Sequence, residues 1–199
     1  MMLEPQRKQL SELCRMLYAA GILAGSEGNV SLRAPGGEIV ITPSSRHKGM
    51  LRPEDMLVAD PEGVLLEGTG RVTKEFPLHR MIYEARSDIN CVIHAHPVYS
   101  CAYAILGRSI PENYLLQMKE IVGRVAVADY APAGSAQLVE NVRPFVVDYQ
   151  TILLSNHGLV CCGRTAEDAL CRCETAEHIA QSSILAELLG TPRPIPAEN

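Results

Sequence analysis

The chain has no tryptophan and only two phenylalanines, so its 47% hydrophobic content is mostly non-aromatic. No apolar run reaches the roughly 18 residues that span a bilayer, which argues against a membrane protein. Residues 1–10 hold no secretory apolar segment, and a cytoplasmic protein is expected. Basic charge is not in excess. Eighteen Lys and Arg against 23 Asp and Glu give a net charge of −5, which argues against a nucleic-acid platform but leaves room for a local patch that holds a small anion. No C-x-x-C occurs, and the seven cysteines follow no metal-cage spacing; they fit small buried thiols in a reducing compartment. G-x-G-x-x-G and the P-loop spacing are also missing, so nothing points to a dinucleotide or to ATP.

What is present is 199 residues without repeat, low-complexity tract or linker. A single domain over 1–190 is expected, followed by a Pro-rich tail at 191–199. Leu3, Leu10, Leu13 and Leu17 stand at helical spacing before Gly21 and Gly25. Strands are expected at 29–33 and 38–42 around Pro35-Gly36-Gly37, and at 56–60 and 64–67 around Pro61-Glu62-Gly63. Further strands are expected at 91–96, 125–128, 151–154 and 159–162, and helices at 76–86, 98–106, 135–146 and 165–189. Two early hairpins, then strands mixed with helices, predict an α/β fold with a largely antiparallel sheet and helices packed on it, not a Rossmann alternation.

The sharpest local feature is Val92-Ile93-His94-Ala95-His96. Strand residues two apart project from one face, so both imidazoles can reach one ion. A third donor must come from elsewhere, and His157, between the apolar strand 152–154 and Gly158, is the best candidate. Three neutral imidazoles would leave a zinc ion with an open position, which is the catalytic pattern rather than the structural one. His79 and His178 lie in helical segments without a histidine partner at i+4 and read as structural; His47, in Arg46-His47-Lys48, reads as part of a solvated loop.

Three segments have the chemistry of an oxyanion pocket. Ser26-Glu27-Gly28-Asn29 offers a hydroxyl, an amide and a glycine that admits close backbone N–H approach. Thr42-Pro43-Ser44-Ser45 adds hydroxyls at a strand end, and Thr73-Lys74 adds a hydroxyl and a cation. Together they suit one phosphate or carboxylate. Glu75 follows and precedes a helix; its type and place fit either a general base or a charge at the helix N-terminus.

The ordered set Gly28-Asn29-Val30-Ser31, Thr42-Pro43, Lys74-Glu75 with His79, His94-Ala95-His96 and Asn156-His157-Gly158 resembles the zinc-dependent class II aldolase family. That family includes L-fuculose-1-phosphate aldolase, L-ribulose-5-phosphate 4-epimerase and the adducin head domain. The resemblance extends over about residues 7–190. It implies a three-layer fold with a central, mainly antiparallel sheet, and a homotetramer with active sites near subunit contacts. It implies one Zn²⁺ per chain on His94, His96 and His157, with Glu75 as acid/base and as a further metal contact before substrate arrives. It places the phosphate of a sugar-phosphate substrate at Ser26, Gly28, Asn29, Thr42, Ser44, Ser45, Thr73 and Lys74. The chain has Thr73-Lys74 where the aldolase pattern has two serines, and Ser44-Ser45 where it has Thr-Gly. Tyr114 is the candidate second proton donor, since the Pro-rich tail carries no tyrosine. The expected activity is retro-aldol cleavage of a ketose 1-phosphate. Decarboxylation of a 3-oxo-sugar-acid phosphate is the rival, with epimerase, dehydratase and adducin-like interaction roles behind it.

Overall fold

The computed structural model describes residues 1–196, so the tail's last residues, 197–199, lie outside the described residues. Short runs of Val, Ile and Leu broken by turn residues give β1 (Asn29–Arg33), β2 (Ile39–Ile41), β3 (Leu57–Ala59), β4 (Leu65–Glu67), β5 (Cys91–Ala95), β6 (Val125–Ala128), β7 (Thr151–Leu154) and β8 (Gly158–Gly163). They form one eight-stranded sheet in the order β4-β3-β2-β1-β5-β8-β7-β6. Neighbours are antiparallel except β6 and β7, which run parallel. The connection between those two carries α4 (Ala136–Val142), because a parallel pair needs a crossover rather than a tight turn.

The other helices are α1 (Glu4–Ala19), α2 (Phe76–Ala85), α3 (Val98–Ile105) and α5 (Ala166–Leu189). Among the described residues no helix is long and apolar enough to cross a membrane. Strand alternation sorts the buried side chains into two cores. Val30, Val40, Ile93, Leu159 and Cys161 pack with Leu10, Leu17, Tyr103 and Ile179 of α1, α3 and α5. Ile41, Val92, Ile152 and Val160 pack with Leu78, Ile82 and Leu138 of α2 and α4. The result is the expected three-layer arrangement around a mainly antiparallel sheet.

The helix expected over 135–146 is shorter. α4 stops at Val142 and a 3-10 turn follows at Arg143–Phe145, where Pro144 has no N–H to extend the α-helix. A π-helical turn at Met118–Val122 had no counterpart in the sequence reading.

Register positions the site. Asn29 opens β1 opposite His94 near the end of β5. The β7–β8 hairpin closes beside them, pairing Leu154 with Gly158 and Ala95 with Leu159. Two glycines make this packing possible. A Cβ on Gly28, at φ +70°, would lie 2.5 Å from the His94 carbonyl oxygen; one on Gly158 would lie 2.5 Å from both the Ala95 carbonyl oxygen and the His96 ring.

Candidate active site

His94, His96 and His157 converge at this strand end, each offering a nitrogen within 4.8 Å of the other two. The Nε2 atoms of His94 and His96 are 3.2 Å apart. His94 lies in β5, His96 just past its end, and His157 in the β7–β8 turn, where Asn156 takes a left-handed conformation at φ 54°. His94 donates from Nδ1 to the Leu159 carbonyl oxygen at 3.1 Å, which leaves Nε2 as the free lone pair. Nδ1 of His96 faces the Glu27 carboxylate at 3.3 Å. Burial pushes the His94 ring down to about 3 and lowers His157, so both are neutral near pH 7, the form that ligates metal.

Glu75 completes the cluster. Its Oε2 lies 3.3 Å from His94 Nε2 and its Oε1 3.4 Å from His157 Nε2. The residue precedes α2, but its side chain makes no capping bond; it turns toward the sheet and accepts from Asn29 Nδ2 at 2.8 Å. The side chain therefore lies with the histidines and not against the first turn of α2. Burial raises its carboxyl, but His94, the Asn29 bond, His157 and His79 together bring it below its ordinary value. Glu75 Oε1 and His157 Nδ1 are buried with no hydrogen bond. Three imidazoles beside a carboxylate oxygen that lacks a donor fit a divalent cation by donor type and charge.

An open cavity of about 430 Å³ adjoins the cluster and reaches Glu75. Ser26, Gly28, Asn29, Ser44, Ser45, Thr73 and Lys74 line it, so seven of the eight expected anion-site residues meet there. Thr42 is the exception. It is wholly buried, and its hydroxyl accepts the Val30 N–H at 3.2 Å, tying β1 to β2 instead of facing the cavity. Two cations on the wall, Lys48 and Arg71, escaped the sequence reading. Lys48 is 1% exposed and donates to the carbonyl oxygens of Ser26 and Arg46, each at 2.9 Å. Burial lowers its ammonium pKa. Within 46–48 only Lys48 departs from the expected solvated loop: Arg46 is exposed, and His47 is half-buried against Tyr18, with ring centroids 5.0 Å apart.

Tyr114 stands elsewhere within its own protomer. It lines a separate groove with Leu115, Ser182, Ser183, Ala186, Pro192 and Arg193, between the end of α5 and the start of the tail. His178 is exposed on α5 and takes no part in the site. His79 is wholly buried under Asn29, a position its helical spacing alone did not reveal.

Comparison with known proteins agrees with this fold. An L-fuculose phosphate aldolase of Methanococcus maripaludis (strain C5) is 36% identical over 179 residues, 90% of this chain and 96% of that protein. A 5-deoxy-D-ribulose 1-phosphate aldolase of Bacillus thuringiensis serovar kurstaki is 28% identical over 200 residues, covering 100% of this chain and 93% of that one. A solved L-fuculose 1-phosphate aldolase superposes with a TM-score of 0.88 at 28% identity, over 96% of this chain and 91% of the other. Class II aldolases are metal-dependent, and the three histidines are this chain's candidate metal site. Residues 8–184 match the model of the class II aldolase and adducin N-terminal domain. The chain belongs to the class II aldolase and adducin N-terminal domain family.

Proposed function

We propose that this protein is a zinc-dependent aldolase that cleaves a ketose 1-phosphate to dihydroxyacetone phosphate and an aldehyde. One observation carries the reading: Glu75, with Oε1 free, touches the histidine cluster on one side and the anion cavity on the other. The names of the relatives, which specify aldolases of L-fuculose phosphate and 5-deoxy-D-ribulose 1-phosphate, support the same class of reaction.

In this mechanism the hydroxyls of Ser26, Ser44, Ser45 and Thr73, the Asn29 amide and the charges of Arg71 and Lys74 hold the phosphate, with Lys48 beneath. Binding the remote phosphate fixes the reacting carbons near Glu75. His94, His96 and His157 would hold the zinc, which would supply Lewis acidity toward the negative charge left when the C-3–C-4 bond breaks. Glu75, in its acid form, returns a proton from Oε1 to the carbon left electron-rich; in the synthetic direction it removes that proton. In the synthetic direction a second group gives its proton to the aldehyde oxygen that becomes the C-4 hydroxyl, and in cleavage its conjugate base takes that proton back; for it we propose the Tyr114 phenol of a neighbouring copy. A homotetramer is proposed with it. Exposed Leu185, Leu188 and Leu189 on α5, with Ile105 and Leu106, support such an association. A cytoplasmic location is supported by seven unpaired thiols, five of them buried.

Decarboxylation of a 3-oxo-sugar-acid phosphate is the second reading. Lys74, whose charge reaches His157, favours it by offering a cation to a substrate carboxylate. Incubation with a panel of ketose 1-phosphates and 3-oxo-acid phosphates, scoring aldehyde against CO₂, separates the two. Aldehyde from a ketose 1-phosphate, lost on chelation and restored by zinc, is the expected result; CO₂ release alone would replace the aldolase reading. Metal analysis of untagged protein should find about one zinc per chain, and light scattering should find four chains per particle.

A further inference from the structure

Behind Glu75 a line of buried polar groups runs along the contact between α2 and β1. At the start of α2 and along it stand Glu75, His79 and Tyr83, four residues apart; on β1 stand Asn29, Ser31 and Arg33, two apart. Four residues of helix advance about 6.0 Å and two of strand about 6.6 Å, so the two rows stay nearly in step. Each step is bonded. Asn29 Nδ2 meets Glu75 Oε2 at 2.8 Å, and Asn29 Oδ1 meets His79 Nε2. Ser31 Oγ lies 2.7 Å from His79 Nδ1 and 2.7 Å from the Tyr83 hydroxyl. The Arg33 guanidinium sits over the Tyr83 ring, 5.1 Å from its centroid, and bonds the carbonyl oxygens that end α2.

Donor and acceptor roles along this line are fixed by chemistry. An ionised carboxylate only accepts, so the Asn29 amide nitrogen donates to Glu75. The Asn29 amide oxygen then faces His79 and needs a donor there. His79 must therefore carry its proton on Nε2, which makes Nδ1 an acceptor for the Ser31 hydroxyl. Tyr83 donates in turn to Ser31, whose carbonyl oxygen is 3.0 Å away. Reversing the ring tautomer would set two acceptors against each other at Asn29. His79 itself is wholly buried and lines no part of the cavity.

We propose that His79 is a positioning residue for the acid/base step: as the Nε2–H tautomer it locks the Asn29 amide, which anchors Glu75 Oε2 and leaves Oε1 as the oxygen that exchanges a proton with substrate. The proposal rests on Glu75 being the acid/base group. Without the ring N–H, the Asn29 amide is free to turn over and point its oxygen at the carboxylate.

The test has a spectroscopic and a kinetic arm. Long-range proton–nitrogen spectra of ¹⁵N-histidine-labelled protein near pH 7 should show His79 as the Nε2–H tautomer; an Nδ1–H ring would overturn the proposal. His79→Phe, which has no donor, should lower kcat for the ketose 1-phosphate about 10–100-fold. Asn29 also lines the anion cavity, so KM should move with it, but by less than kcat, and the metal content should not change. His79→Gln, whose amide can donate to Asn29, should recover most of that loss. Should the phenylalanine variant fail to fold, His79→Asn, too short to reach Asn29, takes its place. Equal losses in Gln and in Phe or Asn, a loss confined to KM or metal content, or no loss at all would each refute the positioning role. Wild-type protein that cleaves no ketose 1-phosphate would defeat the aldolase reading instead, and the tautomer measurement would still stand.

Discussion

The two faces of the sheet are built on opposite terms. Under α1, α3 and α5 the strand side chains are apolar, from Val30, Leu32 and Val40 through Ile93 to Leu153, Leu159 and Cys161, with the wholly buried Thr151 the exception. Under α2 the same central strands present Asn29, Ser31 and His94 among Val92, Ile152 and Val160. A buried polar group left without a partner costs about 1–3 kcal/mol, so under α2 the chain depends on the matched bonds that join Asn29, Ser31, His79 and Tyr83. Under α5 the buried polar groups are a few hydroxyls, among them those of Thr151, Tyr103 and Ser183, and apolar packing carries the contact. Stability and chemistry are therefore separable by face. The site lies where the polar face runs out into the strand ends at Asn29, His94 and the β7–β8 turn.

The strongest test of that separation is Glu75→Gln. The amide keeps the shape and the Asn29 contact but cannot exchange the proton. Turnover of the ketose 1-phosphate should fall about 10²–10⁴-fold, as for loss of a general acid/base, while the melting temperature holds. Full activity in this variant would move the chemistry away from Glu75. The converse is Ile179→Ala on α5, wholly buried in the other core. It should cost about 2–5 kcal/mol in urea unfolding and leave kcat per folded molecule unchanged. A matching drop in kcat would mean that the faces are coupled.

Acid should find the polar face first. Burial holds the His79 ring at about 4, against an ordinary 6.5. Between those values the unfolded chain binds more protons than the folded one. Stability therefore rises with pH from about 4 to 6.5 and is lost as pH falls through that window. At 1.36 kcal/mol per unit the whole step is about 3 kcal/mol. Unfolding free energies at pH 4.5 and 6.5 should differ less in His79→Phe than in wild type, while Ile179→Ala keeps the wild-type difference. Identical slopes in wild type and His79→Phe would mean that this ring does not enter the native state neutral.

How far the sequence carried differs in the same way between faces. Apolar alternation marks β1, β6 and β7 to the residue, and the hydrophobic repeat marks α1 and α5 nearly so. The pair His94 and His96 declares itself by spacing alone. His157 and Glu75 were candidates whose roles needed the family pattern, because what joins them to the pair is the register of β5 with β8 and the turn of a side chain before α2. His79 was weighed for a histidine partner on its own helix, whereas its partners are Asn29 and Ser31 on a strand about 50 residues away. Arg46-His47-Lys48 has the composition of a solvated loop, and Arg46 is indeed exposed; the closing of segments 25–28 and 43–46 over Lys48 is what buries that one side chain. Polar residues buried by long-range contact leave no periodic trace, so the chemistry-bearing face is the less legible one.

Lys48 also supplies the smallest and most discriminating effect. Its ammonium spends its hydrogen bonds on the carbonyl oxygens of Ser26, Arg46 and, at 3.5 Å, Pro43, so it is placed to hold the two walls of the anion cavity together. It also lines the cavity, and among the described residues no ion pair to a carboxylate is seen for it, so its buried charge acts on an anion bound there. Lys48→Met keeps the length and apolar stem but removes both charge and donors. Loss of charge-assisted bonds of this kind should raise KM for the sugar phosphate about tenfold, and the inhibition constant of inorganic phosphate in parallel. kcat at saturation and zinc content should not move, because Glu75 and the three histidines are untouched. A fall in kcat with KM unchanged would place Lys48 with the proton-transfer groups rather than with anion binding, and the boundary between the cavity and the histidine cluster would have to be redrawn.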